Sequence, residues 1–375
     1  MNSTFKCFVL VATSLFIAGC ATTTSHLNKP VSFADLNGWS DQPLDLLKPS
    51  LLNSCAVLRE DTFADESGWG TYKQWRYLCK ELAQTPERQL RSFFEHNFTP
   101  MQIAPNQKGL FTGYYSPVIA GSLTTSDYYP VPLRTLPEDM IKVRPSDFNV
   151  SGKELIGQVQ NGYLTPYKDR EAIEQQLIGD EASLLWLTSA EDKFFLQVQG
   201  SGTVQLEDGT IIHVGYAGNN GQDYISIGKV LQESGELTEV SMQSIKQWLK
   251  DNPDKQQWLF NQNPRYIFFK QNDKSAITSQ GVPAVSNRTL AVDPTIVPLG
   301  MPVWLDTTLS ATGEKFRRLM VAQDTGSAIK GAARGDIYLG IGKAAAILAG
   351  QQESLGKMYV LVPKSVTVEP EAGGQ

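Results

Sequence analysis

The stretch VAQDTGSAIKGAARGDIYLGIG, residues 321–342, ends an apolar run at one aspartate and carries a second aspartate twelve residues later. Asp324 closes the apolar run before small turn residues, so its side chain is expected at the end of a β-strand. Asp336 follows a glycine and precedes an apolar pair that is again typical of a strand. Two carboxylates delivered to one cleft repel each other, and with partial burial this raises the pKa of one of them, as a general acid requires. The spacing alone leaves a second interpretation open, because aspartate beside glycine is also a common turn residue.

Short strands separated by turns surround this stretch. A third aspartate, Asp293, begins a turn in AVDP at 291–294, and EDGT at 207–210 joins two apolar runs as a β-hairpin. The predicted strands are residues 110–115, 194–199, 265–270, 302–305, 317–323 and 357–362, and the predicted helices are residues 86–94, 241–249 and 342–350. Frequent Gly and Pro, with plentiful Val, Ile, Tyr and Phe, likewise favour a mainly β fold with a few helices.

The composition excludes several classes of function. A net charge of −6 argues against a nucleic-acid partner. The three histidines, His26, His96 and His213, are far apart and the sequence has no C-x-x-C pair, so no metal site is predicted. The G-x-S-x-G elbow, the P-loop and the dinucleotide fingerprint are also missing from the sequence, so no cofactor is predicted.

The first 30 residues show the pattern of an export signal followed by a lipid-attachment site. Residues 1–19 have an early lysine, a short apolar run and small residues at the end, which is the pattern of a cleaved signal peptide. IAGC at 17–20 fits the lipobox of bacterial lipoproteins, so Cys20 is predicted to anchor the mature chain to a membrane through lipid. An ordinary signal with an incidental cysteine is the alternative. Resemblance to other lipoproteins at Ala21 favours the periplasmic face of the outer membrane, and residues 20–30 then form the lipidated cysteine and a tether.

Cysteine usage agrees with export. Apart from Cys7 in the signal and Cys20, the sequence contains only Cys55 and Cys79. Two cysteines in an oxidising compartment predict one disulfide between them, and two buried thiols are the alternative.

Segments spread along the chain resemble one family of cell-wall enzymes, the membrane-bound lytic murein transglycosylases A. The resemblance rests on residues 321–331 and 335–342 and continues through FTGYYSPV (111–118), VQGSG (198–202), YAGNNG (216–221), SIGKVL (226–231) and FFK (268–270). These matches follow one order over most of the chain. One position departs from the pattern: Ser327 stands where a second glycine is expected, and serine is small enough to leave the chemistry intact.

The resemblance implies a mainly β fold in which a double-psi β-barrel catalytic domain carries an inserted second β domain and a few helices. Residues 31–114 and 263–365 are assigned to the barrel, residues 115–262 to the inserted domain and residues 366–375 to a tail. The glycan is expected in the groove between the two domains, since ligands usually bind at such interfaces.

The resemblance also implies roles for the aspartates: Asp336 is the catalytic acid, Asp324 sets its protonation from nearby, and Asp293 supports the site. Six further residues are candidates for binding substrate. The aromatic candidates, which either stack on sugar rings or belong to the core, are Tyr114, Tyr115 and Tyr338. The polar candidates, expected to bind hydroxyl and acetamido groups, are Gln199, Ser201 and Lys330.

The implied reaction cleaves the β-1,4 bond between N-acetylmuramic acid and N-acetylglucosamine in peptidoglycan glycan strands and closes a 1,6-anhydro ring. No water is consumed, so one carboxyl serves first as acid and then as base. The closest alternative is an inverting hydrolase with Asp336 as acid and Asp324 as base. A non-catalytic, expansin-like wall-binding lipoprotein and a purely structural lipoprotein are more distant alternatives. Exo or endo cleavage and any association with wall-synthesis proteins stay open.

Overall fold

The computed structural model describes residues 28–63, 68–175, 182–274 and 276–364. The predicted signal peptide, Cys20 and most of the tether lie outside the described residues, as does the predicted tail at 366–375. Within the described ranges, none of the helices combines the length and the apolarity that crossing a membrane requires.

Strands outnumber helices in the described chain, in agreement with the mainly β prediction. The strands are β1 (Lys29–Pro30), β2 (Phe98–Gln102), β3 (Gly109–Ser116), β4 (Val118–Ser122), β5 (Val131–Arg134), β6 (Ile141–Val143), β7 (Leu155–Gln160), β8 (Tyr163–Pro166), β9 (Ser183–Leu187), β10 (Ser201–Gln205), β11 (Ile211–Asn219), β12 (Ile267–Asn272), β13 (Thr289–Val292), β14 (Pro302–Thr308), β15 (Lys315–Asp324), β16 (Arg334–Ile341) and β17 (Glu353–Pro363). The α-helices are α1 (Leu47–Ala56), α2 (Tyr72–Gln84), α3 (Leu90–Asn97), α4 (Arg170–Gln175), α5 (Ala190–Gln199), α6 (Ile227–Glu233), α7 (Met242–Asp251), α8 (Gln256–Asn261) and α9 (Gly342–Gln351). Short 3-10 helices cover Phe33–Asp35, Glu60–Thr62, Glu87–Gln89, Pro145–Phe148 and Pro253–Lys255.

The largest sheet closes on itself. Its strand order is β1-β2-β17-β14-β15-β13-β16-β3, and β17 also pairs with β3, so the strands from β17 to β3 form a closed ring. Two neighbouring pairs are parallel, β13 with β15 and β16 with β3, and the others are antiparallel. Helix α1 contacts β15, and α9 contacts β3 and β16. Because helices cover this sheet, its central strands are buried at consecutive positions rather than at alternate ones, as residues 319–323 of β15 are.

A second, six-stranded sheet forms from the chain between β3 and β13. Its order is β12-β11-β10-β4-β9-β5, and β6, β7 and β8 make a separate three-stranded sheet beside it. The chain therefore leaves the ring after β3 and returns to it at β13. Strand β12 pairs with β11, so the six-stranded sheet extends to Asn272, ten residues beyond the boundary at 262 that the sequence suggested.

One predicted strand is wrong, because residues 194–199 lie in helix α5. The Ser189 hydroxyl accepts a hydrogen bond from the backbone N–H of Asp192 at 3.0 Å and so caps the first turn. Gly200 follows the helix with φ of 78°, a left-handed conformation that commonly ends helices. The aromatic and β-branched residues of this segment favoured a strand, but the capping residues at both ends and the buried apolar face specify a helix.

The other predicted elements are confirmed, with ends that shift by a few residues. The hairpin at 207–210 joins β10 to β11, and the helix predicted at 241–249 is α7, whose N-terminus is capped by the Ser241 hydroxyl. The helix predicted at 86–94 begins as a 3-10 turn and continues as α3.

Cys55 on α1 and Cys79 on α2 form the predicted disulfide, with their α-carbons 5.7 Å apart. Helix α1 is also hydrogen-bonded to β15, the strand that ends at Asp324. The buried side-chain amide of Gln323 donates to the carbonyl oxygen of Ser50 at 2.9 Å. The disulfide-linked pair of helices therefore supports β15 directly beside Asp324.

Candidate active site

Asp324 and Asp336 reach one cavity because both are register partners of the same residue. Ala291 on β13 lies opposite Asp324 in the parallel pair with β15 and opposite Asp336 in the antiparallel pair with β16. Residues directly opposite each other on neighbouring strands project to the same face of a sheet. Asp324 and Asp336 are therefore two strands apart on one face of the ring. Both side chains line one cavity.

Asp336 combines a raised pKa with a single hydrogen bond from the described part of the protein. Thr112, its register partner on β3, donates its hydroxyl to Oδ1 at 2.6 Å, and within the described ranges no protein group donates to Oδ2. Burial raises the pKa of Asp336 to about 6, while the Thr112 hydrogen bond and the positive charge of Arg334 lower it and the charge of Asp324 adds to the rise. With this pKa, part of the molecules still carry the acid proton near neutral pH.

Asp324 accepts four hydrogen bonds from the protein. Its Oδ1 accepts from the backbone N–H of Ser279 at 2.9 Å, from the Ser279 hydroxyl at 2.7 Å and from the backbone N–H of Thr325 at 2.9 Å. Its Oδ2 accepts from the Tyr114 hydroxyl at 2.8 Å. Burial raises the pKa of Asp324, and these hydrogen bonds act against the rise. Because both oxygens are bound by protein donors, Asp324 is less free than Asp336 to exchange a proton with a ligand.

Asp293 ties the turn after β13 to the loop between β15 and β16. Its Oδ1 accepts from the Thr295 hydroxyl at 2.7 Å, and its Oδ2 accepts from the backbone N–H of Gly331 at 2.9 Å. Burial acts to raise the pKa of Asp293, but the hydrogen bonds from Gly331 and Thr295 and the charge of Lys330 lower it overall. Asp293 does not line the cavity, and its contacts are those of a residue that fixes a loop.

The cavity has a volume of about 720 Å³ and lies between the ring and the six-stranded sheet. The ring contributes both carboxylates and the loop residues 324–329, and the opposite wall contributes residues 197–201 and the cations Arg265 and Lys270. Residues 277–279 and Gly281, in the segment that connects β12 to β13, also line the cavity. A concave site with a few convergent polar groups is the usual form of a ligand-binding site.

Three of the predicted substrate-binding residues line this cavity: Tyr114, Gln199 and Ser201. The Tyr114 ring packs against Tyr338 with ring centroids 5.1 Å apart, and its hydroxyl is bound to Asp324. Gln199 ends α5, and Ser201 begins β10 after the Gly200 turn. Helix α5, which the sequence pattern predicts as a strand, therefore forms part of the cavity wall.

The structure places the other three predicted residues away from the cavity. Tyr115 is buried in the core, because successive residues of a strand face opposite sides and Tyr114 takes the side of the cavity. Tyr338 is buried behind Tyr114. Lys330 is exposed on the outer part of the loop that Asp293 holds.

Two residues that are hydrogen-bonded to the aspartates, and a third that is hydrogen-bonded to the first of them, have no role in the sequence-based prediction. Thr112 bonds Asp336, Ser279 bonds Asp324, and Arg334 donates to the Thr112 hydroxyl at 2.9 Å. For Thr112 a signal was present, since it lies two residues before Tyr114 on one strand and must share its face. Ser279 lies in a segment between β12 and β13 with no periodic pattern, so only the folded chain brings it to the site.

The arrangement offers one carboxyl oxygen, Oδ2 of Asp336, to which no described protein group donates a hydrogen bond. In the part of the chain that the structure describes, no group of three His, Cys, Asp or Glu side chains could hold a metal ion. Asp336 can transfer a proton through Oδ2, whereas the oxygens of Asp324 accept protein hydrogen bonds. The chemistry that these groups support is acid and base catalysis by one carboxyl.

Two family models match the chain. Residues 110–270 match the MltA specific insert domain, and residues 288–362 match the 3D domain. Membrane-bound lytic murein transglycosylase A of Escherichia coli K12 is 33% identical over 261 residues, which make up 67% of this chain and 65% of that protein. The chain thus spans slightly less than two thirds of the length of this curated relative.

Solved structures match over more of the chain. A membrane-bound lytic murein transglycosylase from Agrobacterium tumefaciens is 33% identical, with a TM-score of 0.81, over 90% of this chain and 97% of that one. MltA from Neisseria gonorrhoeae is 31% identical, with a TM-score of 0.75, over 91% and 93% of the two chains. The E. coli MltA structure with bound chitohexaose is 27% identical, with a TM-score of 0.65, over 90% and 92%.

Proposed function

Because the chain belongs to the membrane-bound lytic murein transglycosylase A family, we propose that it is a lytic transglycosylase of peptidoglycan. The enzyme cleaves the β-1,4 bond between N-acetylmuramic acid and N-acetylglucosamine and leaves 1,6-anhydro-muramic ends. The observation that carries the proposal is Asp336, a cavity carboxyl whose pKa burial raises to about 6 and whose Oδ2 has no protein donor among the described residues.

In the proposed reaction Asp336 acts twice. Its proton passes to the glycosidic oxygen as the bond from that oxygen to C1 of the muramic sugar breaks. The resulting carboxylate then takes the proton of the sugar's own 6-hydroxyl as that oxygen bonds to C1. Protons balance and no water enters, so a second reactive carboxylate is not needed.

The contacts of Asp324 favour this reaction over its closest rival. An inverting hydrolase needs a second carboxylate that seats and activates a water molecule. Asp324 already accepts four protein hydrogen bonds, including one from Tyr114 on the oxygen that Ser279 and Thr325 leave free. Asp324 therefore supports the site by holding Tyr114 and by raising the pKa of Asp336 through its charge.

We further propose that the substrate lies in the cavity between the two sheets, with the ring as a double-psi β-barrel domain and the six-stranded sheet as the core of an inserted domain. Tyr114, Gln199 and Ser201 line the cavity and are the substrate-binding candidates that its geometry favours. The relative solved with bound chitohexaose supports a site for β-1,4-linked N-acetylated sugars.

The proposal includes a lipid anchor at Cys20 and residence at the periplasmic face of the outer membrane. The names of the relatives include the word membrane-bound, and the lipobox at 17–20 supplies the means of attachment. Cell-wall synthesis proteins are compatible partners at this location.

The product separates the transglycosylase from the hydrolase. Purified peptidoglycan sacculi are digested with wild type, with Asp336→Asn and with Asp306→Asn, and the released muropeptides are analysed by mass spectrometry before and after borohydride treatment. We expect wild type and Asp306→Asn to give products lighter than the hydrolytic ones by one water and resistant to reduction. Asp336→Asn should give no products, because an amide has no acid proton to donate.

Asp306 is the matched control, since it lies on β14 and is bound to Arg317 outside the cavity. Reducible muramic ends as the main product would establish the hydrolase instead.

A further inference from the structure

Three side chains form a directed chain of hydrogen bonds beneath the cavity. Arg334 Nη2 donates to the Thr112 hydroxyl oxygen at 2.9 Å, and the Thr112 hydroxyl donates to Asp336 Oδ1 at 2.6 Å. The other guanidinium nitrogen, Nη1, donates to the backbone carbonyl oxygens of Gly335 and Leu110, so the guanidinium is held at two points.

The direction of this chain follows from the number of protons on each group. A guanidinium only donates hydrogen bonds, and a hydroxyl has one proton and two lone pairs. The Thr112 oxygen must therefore accept from Arg334, and its own proton is left to point at Asp336. Oδ1 of Asp336 consequently accepts a hydrogen bond whether the carboxyl is charged or neutral.

We propose that Thr112, oriented by Arg334, is a positioning residue that keeps the exchangeable proton of Asp336 on Oδ2. The inference rests on the proposed role of Asp336 as the acid. Oδ2 is the oxygen without a protein donor in the described part of the chain, and Asp336 lines the cavity. The same oxygen then gives the proton to the glycosidic oxygen and later takes one from the 6-hydroxyl, so a single geometry serves both steps.

The groups that face Asp336 come from four strands. Thr112 and Tyr114 lie on β3, Asp324 ends β15, and Arg334 lies on β16. Glu353 on β17 is the register partner of Thr112, and its charge interacts with that of Arg334. The Thr112 hydrogen bond and the Arg334 charge both lower the pKa of Asp336 against the effect of burial. Removing either should raise that pKa and extend activity to higher pH.

The test compares Thr112→Val, Thr112→Ser and Arg334→Gln as full-length lipidated protein in detergent, with soluble peptidoglycan glycan strands as substrate. Valine has nearly the shape of threonine but no hydroxyl, so Oδ1 loses its donor and the proton is no longer confined to Oδ2. We expect Thr112→Val to lower kcat by about tenfold, the order of one hydrogen bond to a charged group, with KM little changed. The alkaline limb of its pH profile should move to higher pH.

Two further variants make the outcome specific to positioning. Thr112→Ser restores the hydroxyl and should recover most of kcat and the wild-type limb. Arg334→Gln removes the charge and should also move the limb to higher pH, and combining it with Thr112→Val should add little, because the two residues act in one chain. Circular dichroism and thermal melts check that each variant is folded. If Thr112→Val does not fold, Thr112→Ser and Arg334→Gln carry the test.

The proposal is wrong if the folded Thr112→Val and Arg334→Gln variants keep the wild-type pH limb and kcat, or if Thr112→Ser is as impaired as Thr112→Val. It is independent of the product test, because a hydrolase would also need the acid. Reducible products with a shifted limb would reject the transglycosylase and keep the positioning role. Anhydro products with an unshifted limb would keep the transglycosylase and reject the positioning role of Thr112.

Discussion

At the scale of single residues, the site gives two identical side chains different hydrogen-bond partners. Asp324 and Asp336 are both buried enough for the pKa of each to be raised. From the described residues, Asp324 accepts four hydrogen bonds and Asp336 accepts one. The carboxyl with fewer donors keeps an oxygen free for the substrate, which supports the proposed role of Asp336 as the acid.

The raised pKa of Asp336 also predicts a cost in stability at neutral pH. The pKa lies near 6 in the folded protein, against its ordinary value of 3.8, so between these values the unfolded chain loses its proton first and stability falls as pH rises. Above pH 6 the cost is constant, at most about 3 kcal/mol for a shift of about two units. We expect Asp336→Asn, which cannot ionise, to be more stable than wild type in urea unfolding at pH 8 by up to that amount, with the difference vanishing as pH falls below the unfolded pKa of 3.8.

Asp293→Asn is the matched control, because the pKa of Asp293 is lowered in the folded protein. A lowered carboxyl pKa contributes stability above the unfolded value and loses it as pH falls through the folded value. Asp293→Asn should therefore be less stable than wild type at pH 8, with a difference that shrinks in acid. An Asp336→Asn variant with the same stability difference at pH 4 and pH 8 would contradict the raised pKa.

At the scale of elements, the disulfide between α1 and α2 supports the strand that ends at Asp324. The bridge joins residues separated by 24 positions, and α1 is bonded to Gln323. Closing a loop of this size stabilises a protein by roughly 2–4 kcal/mol. We expect the double variant Cys55→Ser, Cys79→Ser to melt lower than wild type and to be insensitive to dithiothreitol, which should lower the melting temperature of wild type to a similar value. A wild-type melting temperature unaffected by complete reduction, checked by thiol labelling, would contradict this role.

Elements with regular apolar patterns could be predicted from the sequence, and those set by capping were harder to predict. The residue pattern predicts the strands around Asp324 and Asp336 and helix α7, and the family resemblance implies different roles for the two aspartates. The strand prediction for residues 194–199 is wrong because the aromatic residues favour a strand, whereas Ser189 and Gly200 cap a helix at its two ends. Thr112 lay in a recognised segment, but its contact with Asp336 depends on the parallel register of β3 and β16, which no local pattern reveals.

At the scale of the whole molecule, the cavity exists because the chain leaves the ring after β3 and returns at β13. The carboxylates belong to the ring, whereas Arg265, Lys270 and the end of α5 belong to the inserted segment. The two walls differ in charge, with the two carboxylates on one side and the cations Arg265 and Lys270 on the other. A glycan in this cavity would contact both walls and so hold the two sheets together.

That geometry predicts that a ligand stabilises the protein and that both walls contribute to its binding. Asp336→Asn is used because it cannot turn over the ligand, and chitohexaose is titrated while the melting temperature is recorded. A ligand at 100 times its Kd should stabilise the folded protein by about 2.7 kcal/mol.

Lys270→Ala in the same background should raise Kd about fivefold, because exposed Lys270 lines the inserted wall. A fivefold change corresponds to the loss of one hydrogen bond of about 1 kcal/mol. Lys357→Ala, an exposed lysine outside the cavity, should leave Kd unchanged. Tight binding unaffected by Lys270→Ala would place the glycan on the ring wall away from Lys270, and no thermal shift at any concentration would exclude the cavity as its site.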